Sequence, residues 1–186
     1  MVNVGFDTYC ELLEETVQEL QGEHVEKITP TIVDINVTAY IPDEWVGSAE
    51  QKMIEYKRLA DVKSPVELDY IVEEWVDRFS KPPECVENLI KLIRLRLSAT
   101  EVKISALREV DGAIRIYTPY SKPEWNLVQK VLPKNISSKL KFTLAPKSCA
   151  DATSIIILNT SYVNFNEVFN ILTDLFYYIH KVSYEY

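Results

Sequence analysis

The sequence predicts an α+β fold, with a helical N-terminal half that contains one strand and then a strand-strand-helix pattern that occurs twice. Apolar residues recur at helical spacing at residues 6–20 and through most of 48–97. After residue 100 apolar and polar residues alternate instead, which is the period of a half-buried strand. Within that second region, Asp111-Gly112 is a strong signal for a tight β-hairpin turn.

The first elements in chain order are a helix, a linker and a strand. The predicted helix at residues 6–20 gathers its apolar residues on one face: Phe6, Cys10, Leu13, Val17 and Leu20. Residues 21–30 are polar and lack periodicity, so we place a domain boundary near residue 30. The alternation at residues 33–41, ended by Pro42, predicts one half-buried strand.

Three helices are predicted between residues 48 and 97. Ser48 begins the first as an N-cap, and Ser64 followed by Pro65 and Glu67 begins the second. The third runs from about Glu84 to Leu97. The second half then contains the hairpin around residues 103–117, a short helix capped by Ser121, strands at 140–144 and 154–158, and a helix at 165–180.

Composition excludes several classes of function. The chain has 186 residues and a net charge of -8, which argues against a direct, strong nucleic-acid binder and favours a basic protein surface as partner. Its four glycines are too dispersed for a nucleotide-binding loop, so no cofactor is expected. The N-terminus lacks the features of a secretory signal, and no apolar run is long enough for a membrane span. We therefore expect a cytoplasmic protein without a membrane partner.

No catalytic or metal site is expected. The two histidines, His24 and His180, are far in sequence from the three cysteines, and neither CxxC nor HxxxH spacing occurs. Cys85 lies beside acidic residues that disfavour its thiolate. A small hydrolase that uses a carboxylate pair is the least supported alternative, because general acid catalysis needs a carboxyl group with a raised pKa.

One acidic stripe is the candidate site for partner binding. Tyr70, Glu73, Glu74 and Asp77 recur at helical spacing on the face opposite Trp75. A solvated helix face is one interpretation of this pattern. The other is a docking surface for an arginine-bearing partner, because carboxylates match the guanidinium fork.

The ordered motifs of residues 4–97 resemble the C-terminal region of the bacterial transcription-repair coupling factor. The motifs are VGFDTYCELLEE (4–15), IPDEW (41–45), YKRLA (56–60), VELDYIVEEWVDRF (66–79) and PECVENLIKLIRLRL (83–97). Ser80 and Lys103 stand where the family pattern has glycine, which leaves the turns there open to change while the fold is retained. Met1 falls where the family's helicase motor ends, so the resemblance suggests an excised domain.

The resemblance implies a noncatalytic regulatory domain. Residues 1–30 would be a connector helix and linker from the motor, and residues 31–186 would be the domain itself. It would dock on the N-terminal UvrA-binding module of the same protein and hold the DNA translocase autoinhibited, with UvrA and RNA polymerase as indirect partners. The resemblance places the acidic contacts of this docking interface at Glu74 and Asp77. A free-standing adaptor module with the same fold remains the alternative.

Overall fold

The structure is a computed structural model that describes residues 29–147, 149–150, 152–161 and 163–185. The predicted helix at 6–20, and nearly all of the predicted connector at 1–30, lie outside these described residues. The α+β class is confirmed, because the described part combines one five-stranded sheet with seven helices. None of the described helices is long and apolar enough to cross a membrane.

Four helices build the first half of the described chain. They are α1 (Asp43–Val46), α2 (Ala49–Asp61), α3 (Pro65–Phe79) and α4 (Glu84–Glu101). The predicted N-caps are confirmed: the Ser48 hydroxyl accepts from the Gln51 amide at 3.1 Å, and the Ser64 hydroxyl accepts from the Glu67 amide at 3.3 Å. These caps determine where α2 and α3 begin. The start of each helix in turn determines which of its faces can be buried against the other.

The helical half has its own core, built around Trp75 of α3. This side chain is fully buried, and its ring meets that of Trp45 edge to face at 5.5 Å between centroids. The other fully or nearly fully buried members of this core come from all four helices, from the segment before α1 and from the segment between α2 and α3: Ile41, Val46, Leu59, Val62, Leu68, Ile71, Val86 and Ile93. Burial of Trp75 fixes the opposite face of α3 toward solvent.

The second half, together with one strand from the start of the described chain, forms a sheet against which helices pack. The strands are β1 (Ile32–Asp34), β2 (Ala106–Val110), β3 (Ala113–Thr118), β4 (Leu140–Leu144) and β5 (Ser154–Asn159), and their order in the sheet is β1-β2-β3-β5-β4. Among the strands that the structure describes, only β1 and β2 pair in parallel. The helices are α5 (Lys122–Val131), α6 (Lys134–Ser137) and α7 (Phe165–Glu185). The predicted pattern thus occurs as β2-β3-α5 and β4-β5-α7.

Helix α4 belongs to both cores. Its N-terminal part contributes Val86 and Ile93 to the helical core, and its C-terminal part contributes Leu95 and Ala99 to the sheet core. A single helix of 18 residues therefore joins the two halves through continuous packing. The sheet core also contains buried residues of β2, β3, β4, β5, α5, α6 and α7.

The strand predicted at residues 33–41 is shorter than the alternation suggested. Only Ile32–Asp34 pair with β2, although odd-numbered residues stay half-buried and even-numbered residues exposed through residue 40. Beyond β1 the backbone amides find other acceptors: Tyr40 donates to the carbonyl of Cys85, and Ile41 donates to the hydroxyl of Tyr56. The alternation indicates that one side of this segment is buried. A strand has this pattern, but so does a segment that packs against helices without pairing in the sheet.

Three turns contain non-glycine residues with positive φ. Asp111 and Gly112 have φ values of 51° and 71°, which confirms the predicted hairpin turn. Ser80 and Lys103, the positions at which the resemblance predicts glycine, have φ values of 87° and 56°. Glycine adopts this conformation most easily, so the two side chains strain the backbone at these turns.

Candidate partner-binding surface

The outer face of α3 carries most of the predicted acidic stripe. Leu68, Ile71 and Trp75 are buried, so the residues half a turn away face solvent. The centre of that solvent-facing side is the line Val66, Tyr70, Glu73 and Asp77, all of which are exposed. Tyr70 is 67% exposed, a high value for an aromatic side chain on a helix. We call these four residues the outer line of α3.

Glu73 and Asp77 have no ion-pair or hydrogen-bond partner for their side chains among the described residues. They lie four residues apart on one helix face, so their carboxylates point in the same direction about one turn from each other. The result is a pair of solvated negative charges next to an exposed aromatic ring. Such a pair can accept hydrogen bonds from a cation without first losing an existing partner.

Glu74 lies on the flank of α3 and is already paired inside the domain. Its two oxygens accept from the guanidinium of Arg58 on α2, at 2.6 and 3.1 Å, in a bidentate arrangement. Arg78, one turn further along α3, also donates to it. Hydrogen bonds from Arg58 first, and from Arg78 second, lower the pKa of Glu74 to about 2. Arg58 in turn has its pKa raised, chiefly by Glu74.

Beneath this surface cluster lies a second carboxylate that is fully buried. Glu55 of α2 accepts hydrogen bonds from the indole of Trp75 at 2.8 Å and from the side-chain amide of Gln51 at 2.6 Å. Arg58 also donates to it at 2.9 Å, and Arg78 approaches at 3.4 Å. Both arginines therefore bridge an inner and an outer carboxylate. The network ties α2 to α3 and holds the outer line in a fixed direction.

An open groove of about 350 Å³ runs along the seam between α2 and α3. Tyr70 stands on its wall, together with the exposed acids Asp61 and Glu67. Sequence reasoning missed these two acids, because the pairing of α2 with α3 decides that their two chain segments face each other. The groove gives a partner side chain an apolar floor, Val62 and Ile71, beside negative charge.

The four predicted site residues are thus divided by the structure. Tyr70, Glu73 and Asp77 share the outer line, whereas Glu74 belongs to the arginine network on its flank. Helical periodicity placed all four residues on α3 but could not show that Arg58, from another helix, would reach one of them. In the described part of the chain, no group of three or more His, Cys, Asp and Glu residues is arranged to hold a metal ion.

Fold and surface together define a class: an α+β domain of two fused cores that share one helix and present an acidic helix to solvent. Comparison with known proteins makes the class specific. The TRCF domain family matches residues 35–127, which is half of the chain. The chain belongs to the TRCF domain family.

Curated relatives agree with this family. The chain is 32% identical over 107 residues to the transcription-repair-coupling factor of Myxococcus xanthus, covering 58% of this chain and 9% of that protein. It is 30% identical over 133 residues to the transcription-repair-coupling factor of Staphylococcus aureus (strain USA300), covering 70% and 11%. It is 29% identical over 115 residues to the transcription-repair-coupling factor of Bacillus subtilis (strain 168), covering 61% of this chain and 10% of that protein. The chain therefore spans about a tenth of the length of these relatives.

A solved structure has the same fold. The crystal structure of a C-terminal domain of transcription-repair coupling factor superposes with a TM-score of 0.68, covering 84% of this chain and 95% of that one. The identity is 16%, so this match concerns the fold. It extends the likeness beyond the residues matched by the family and includes most of the sheet half.

Proposed function

We propose that this chain is the noncatalytic regulatory C-terminal domain of a transcription-repair coupling factor. In this proposal it docks on the N-terminal UvrA-binding module of the same protein and holds the DNA translocase autoinhibited. The translocase is then released from autoinhibition when it engages stalled RNA polymerase during transcription-coupled nucleotide excision repair. UvrA and RNA polymerase are indirect partners. In this proposal the domain acts in the cytoplasm, binds neither a membrane nor a cofactor, and does not bind nucleic acid strongly.

The observation that carries the docking proposal is the outer line of α3. Glu73 and Asp77 are exposed and have no partner among the described residues, and Tyr70 stands between them and the groove. A guanidinium group can pair with the carboxylates while its partner's apolar side chains cover Tyr70 and Val66. Charge pairs that become partly desolvated at an interface couple by about 1.5 kcal/mol or more.

Glu74 has a different part in this docking. Because Arg58 and Arg78 already occupy it, an incoming cation has to share or displace them. Glu74 then contributes less binding free energy than Asp77, although both carry one charge. The arginine network instead positions α3 for docking.

Calorimetry between this chain and the separately expressed UvrA-binding module tests the proposal. At low salt, Glu73→Ala with Asp77→Ala should weaken binding about tenfold or more, and the wild-type affinity should fall at moderate salt. The matched control is Glu50→Ala with Asp174→Ala, which removes two exposed charges elsewhere and should leave the affinity within about twofold. Equal binding by the wild type and the α3 variant would show that the interface lies on another face of the domain.

The free-standing adaptor remains the second candidate, because the same exposed acids suit any basic protein surface. Complete absence of binding to the module, at concentrations that match a tethered domain, would favour it. An upstream helicase reading frame fused to Val2 in the native gene would support the regulatory domain instead.

A further inference from the structure

The sheet ends in two edge strands, β1 and β4, and their outer backbone groups have different surroundings. Helix α4 contacts β1, and the amide just before that strand, on Thr31, donates to the hydroxyl of Thr100 in α4 at 3.0 Å. No described strand lies beyond β4. An edge strand with unpaired N–H and C=O groups is a template for the addition of another strand.

The register of β4 on β5 decides which of its backbone groups point outward. In an antiparallel pair, alternate residues bond to the neighbouring strand and the residues between them point away from it. The amide of Ala145 donates to the carbonyl of Thr153 at 3.1 Å, so Ala145, and with it Thr143, bonds toward β5. Phe142 and Leu144 therefore point their N–H and C=O groups outward, and neither amide has an acceptor among the described residues. We call these outward groups the free edge.

The other side of β5 gives the same assignment. The amide of Thr160 donates to the carbonyl of Gly112 at 2.9 Å, so the even-numbered residues of β5 bond toward β3. Its odd-numbered residues then bond toward β4, where they meet the odd-numbered residues of that strand. The even-numbered residues of β4 are left for the free edge.

Side chains along the free edge are apolar on one face of the sheet and basic on the other. Leu144 is 67% exposed, and Phe142 on the same face is half-buried, with its ring stacked on that of Trp125. Lys141 lies on the opposite face, is exposed and has no carboxylate partner among the described residues. An added strand would therefore place apolar residues beside Phe142 and Leu144 and an acidic residue beside Lys141.

The charge around β4 favours an acidic partner over a second copy of this chain. Residues 138–147 contain three lysines and no acidic residue, in a chain with a net charge of -8. Lys139 is paired with Glu167 at 2.7 Å, and the ammonium of Lys122 lies 4.7 Å from the ring centre of Phe142. Pairing of β4 with another β4 would bring these cations together, and lysine on an edge strand discourages such self-pairing.

We propose that the free edge of β4 binds an extended segment of a partner protein in which acidic and apolar residues alternate. The segment adds a sixth strand to the sheet. Its backbone bonds to Phe142 and Leu144, its apolar residues cover Leu144, and an acidic residue pairs with Lys141. This interaction goes beyond the docking proposed for α3, which uses the helical half of the domain, so either proposal can fail alone.

Amide hydrogen exchange, followed residue by residue by NMR, tests the proposal with a synthetic octapeptide of alternating valine and glutamate as the probe. Without the probe, the amides of Phe142 and Leu144 should exchange faster than those of Lys141 and Thr143, which bond to β5. With about 1 mM probe, exchange of the first two amides should slow by about tenfold or more, while the other two change little. A probe with lysine in place of glutamate should give no such protection.

Two substitutions separate the contributions of charge and backbone. Lys141→Glu should exchange the preference, so that the valine-lysine probe protects the free edge and the valine-glutamate probe does not. Leu144→Pro removes an outward N–H without removing a bond to β5, so the domain should stay folded while the valine-glutamate probe no longer protects Phe142. Leu144→Ala keeps that N–H and is the matched control, in which protection should persist.

Several results would overturn the proposal. Unchanged exchange at Phe142 and Leu144 with the valine-glutamate probe would show that the free edge binds no acidic strand. Equal protection by both probes in the wild type would remove the selectivity for acidic residues. Slow exchange of these two amides without any probe would show that the edge is already covered, by a second copy if sedimentation finds dimers and by the chain itself if it finds monomers.

Discussion

Glu74 and its neighbours Glu73 and Asp77 differ in what already binds them, although they are close on one helix. Two arginines of the domain hold Glu74, whereas the other two carboxylates have no partner among the described residues. The same residue type therefore has two uses on α3. Glu74 supports the arrangement of the helices, and the outer line remains available for a partner.

The pH dependence of stability should show this difference. The pKa of Glu74 is about 2 in the folded domain against an ordinary value near 4.5, so its ionised form favours the folded state. That contribution is complete above about pH 4.5 and is lost as the pH falls toward 2. We expect Glu74→Gln to lower the free energy of unfolding at pH 7, with the difference from wild type shrinking between pH 4.5 and 2.

Urea denaturation of both proteins at several pH values measures this difference. Glu73→Gln is the matched control, because its side chain is exposed and unpaired, and its curve should follow that of wild type. A difference for Glu74→Gln that stays constant down to pH 2 would show that its carboxylate has an ordinary pKa.

Ser80 provides a second prediction at the residue scale. Its backbone has φ 87° and ψ -179°, a region in which residues other than glycine are strained by about 1–3 kcal/mol. Glycine relieves the strain but adds freedom to the unfolded chain. We expect Ser80→Gly to raise the free energy of unfolding by about 1 kcal/mol in denaturant melts.

Ser138 is the matched control for this substitution. It also follows a helix, but its φ is -67°, where a side chain causes no strain. Ser138→Gly should therefore lower stability by about 0.5–1 kcal/mol. A loss of stability in both variants would contradict the strain assigned to Ser80.

At the scale of elements, Glu55 joins α2 to α3 from inside. It is 0% exposed and is the common acceptor for Trp75, Gln51 and both arginines of the network. A buried carboxylate is tolerated because these donors satisfy it. Its position explains why α3 presents its acids in one direction, since Trp75 anchors the opposite face of the same helix.

Glu55→Gln should destabilise the domain by about 2 kcal/mol, because charge-assisted hydrogen bonds become neutral and the arginines lose their inner partner. Thermal or chemical melts measure this loss. Asp61→Asn on the same helix is the control, since its exposed side chain should change stability by less than about 0.5 kcal/mol. Equal effects of the two substitutions would mean that the buried network contributes nothing.

For the whole molecule, α4 decides whether the two cores behave as one. The helix is continuous from Val86 in the helical core to Ala99 in the sheet core. Opening one half therefore removes packing from the other. We expect a single cooperative unit instead of two independently unfolding halves.

Native-state hydrogen exchange of Leu68→Ala tests this coupling. Leu68 is fully buried in the helical core, so the substitution should cost about 2–5 kcal/mol. The slowest amides of β3, in the other core, should lose as much protection as those of α3. Unchanged protection in β3 would show that the halves open separately and that α4 can fray at its centre.

Much of this protein could be read from local sequence patterns. Serine caps located the starts of α2 and α3, Asp111-Gly112 located the hairpin, and apolar spacing identified the buried face of α3. These signals depend on residues a few positions apart, which is why they survive without knowledge of the fold. The strand at 33–41 was overestimated because alternation reports burial and not the partner of the backbone.

The sequence by itself determined the α+β class, the family, the helix that carries the candidate site and the acidic character of that helix. Only the tertiary structure decided that Arg58 reaches Glu74, that Asp61 and Glu67 share a groove with Tyr70, and that Phe142 and Leu144 lie on the free edge of the sheet. The physical reason is the distance along the chain over which each kind of interaction acts. Periodicity and capping act within a few residues, whereas ion pairs and surfaces depend on which distant elements pack together.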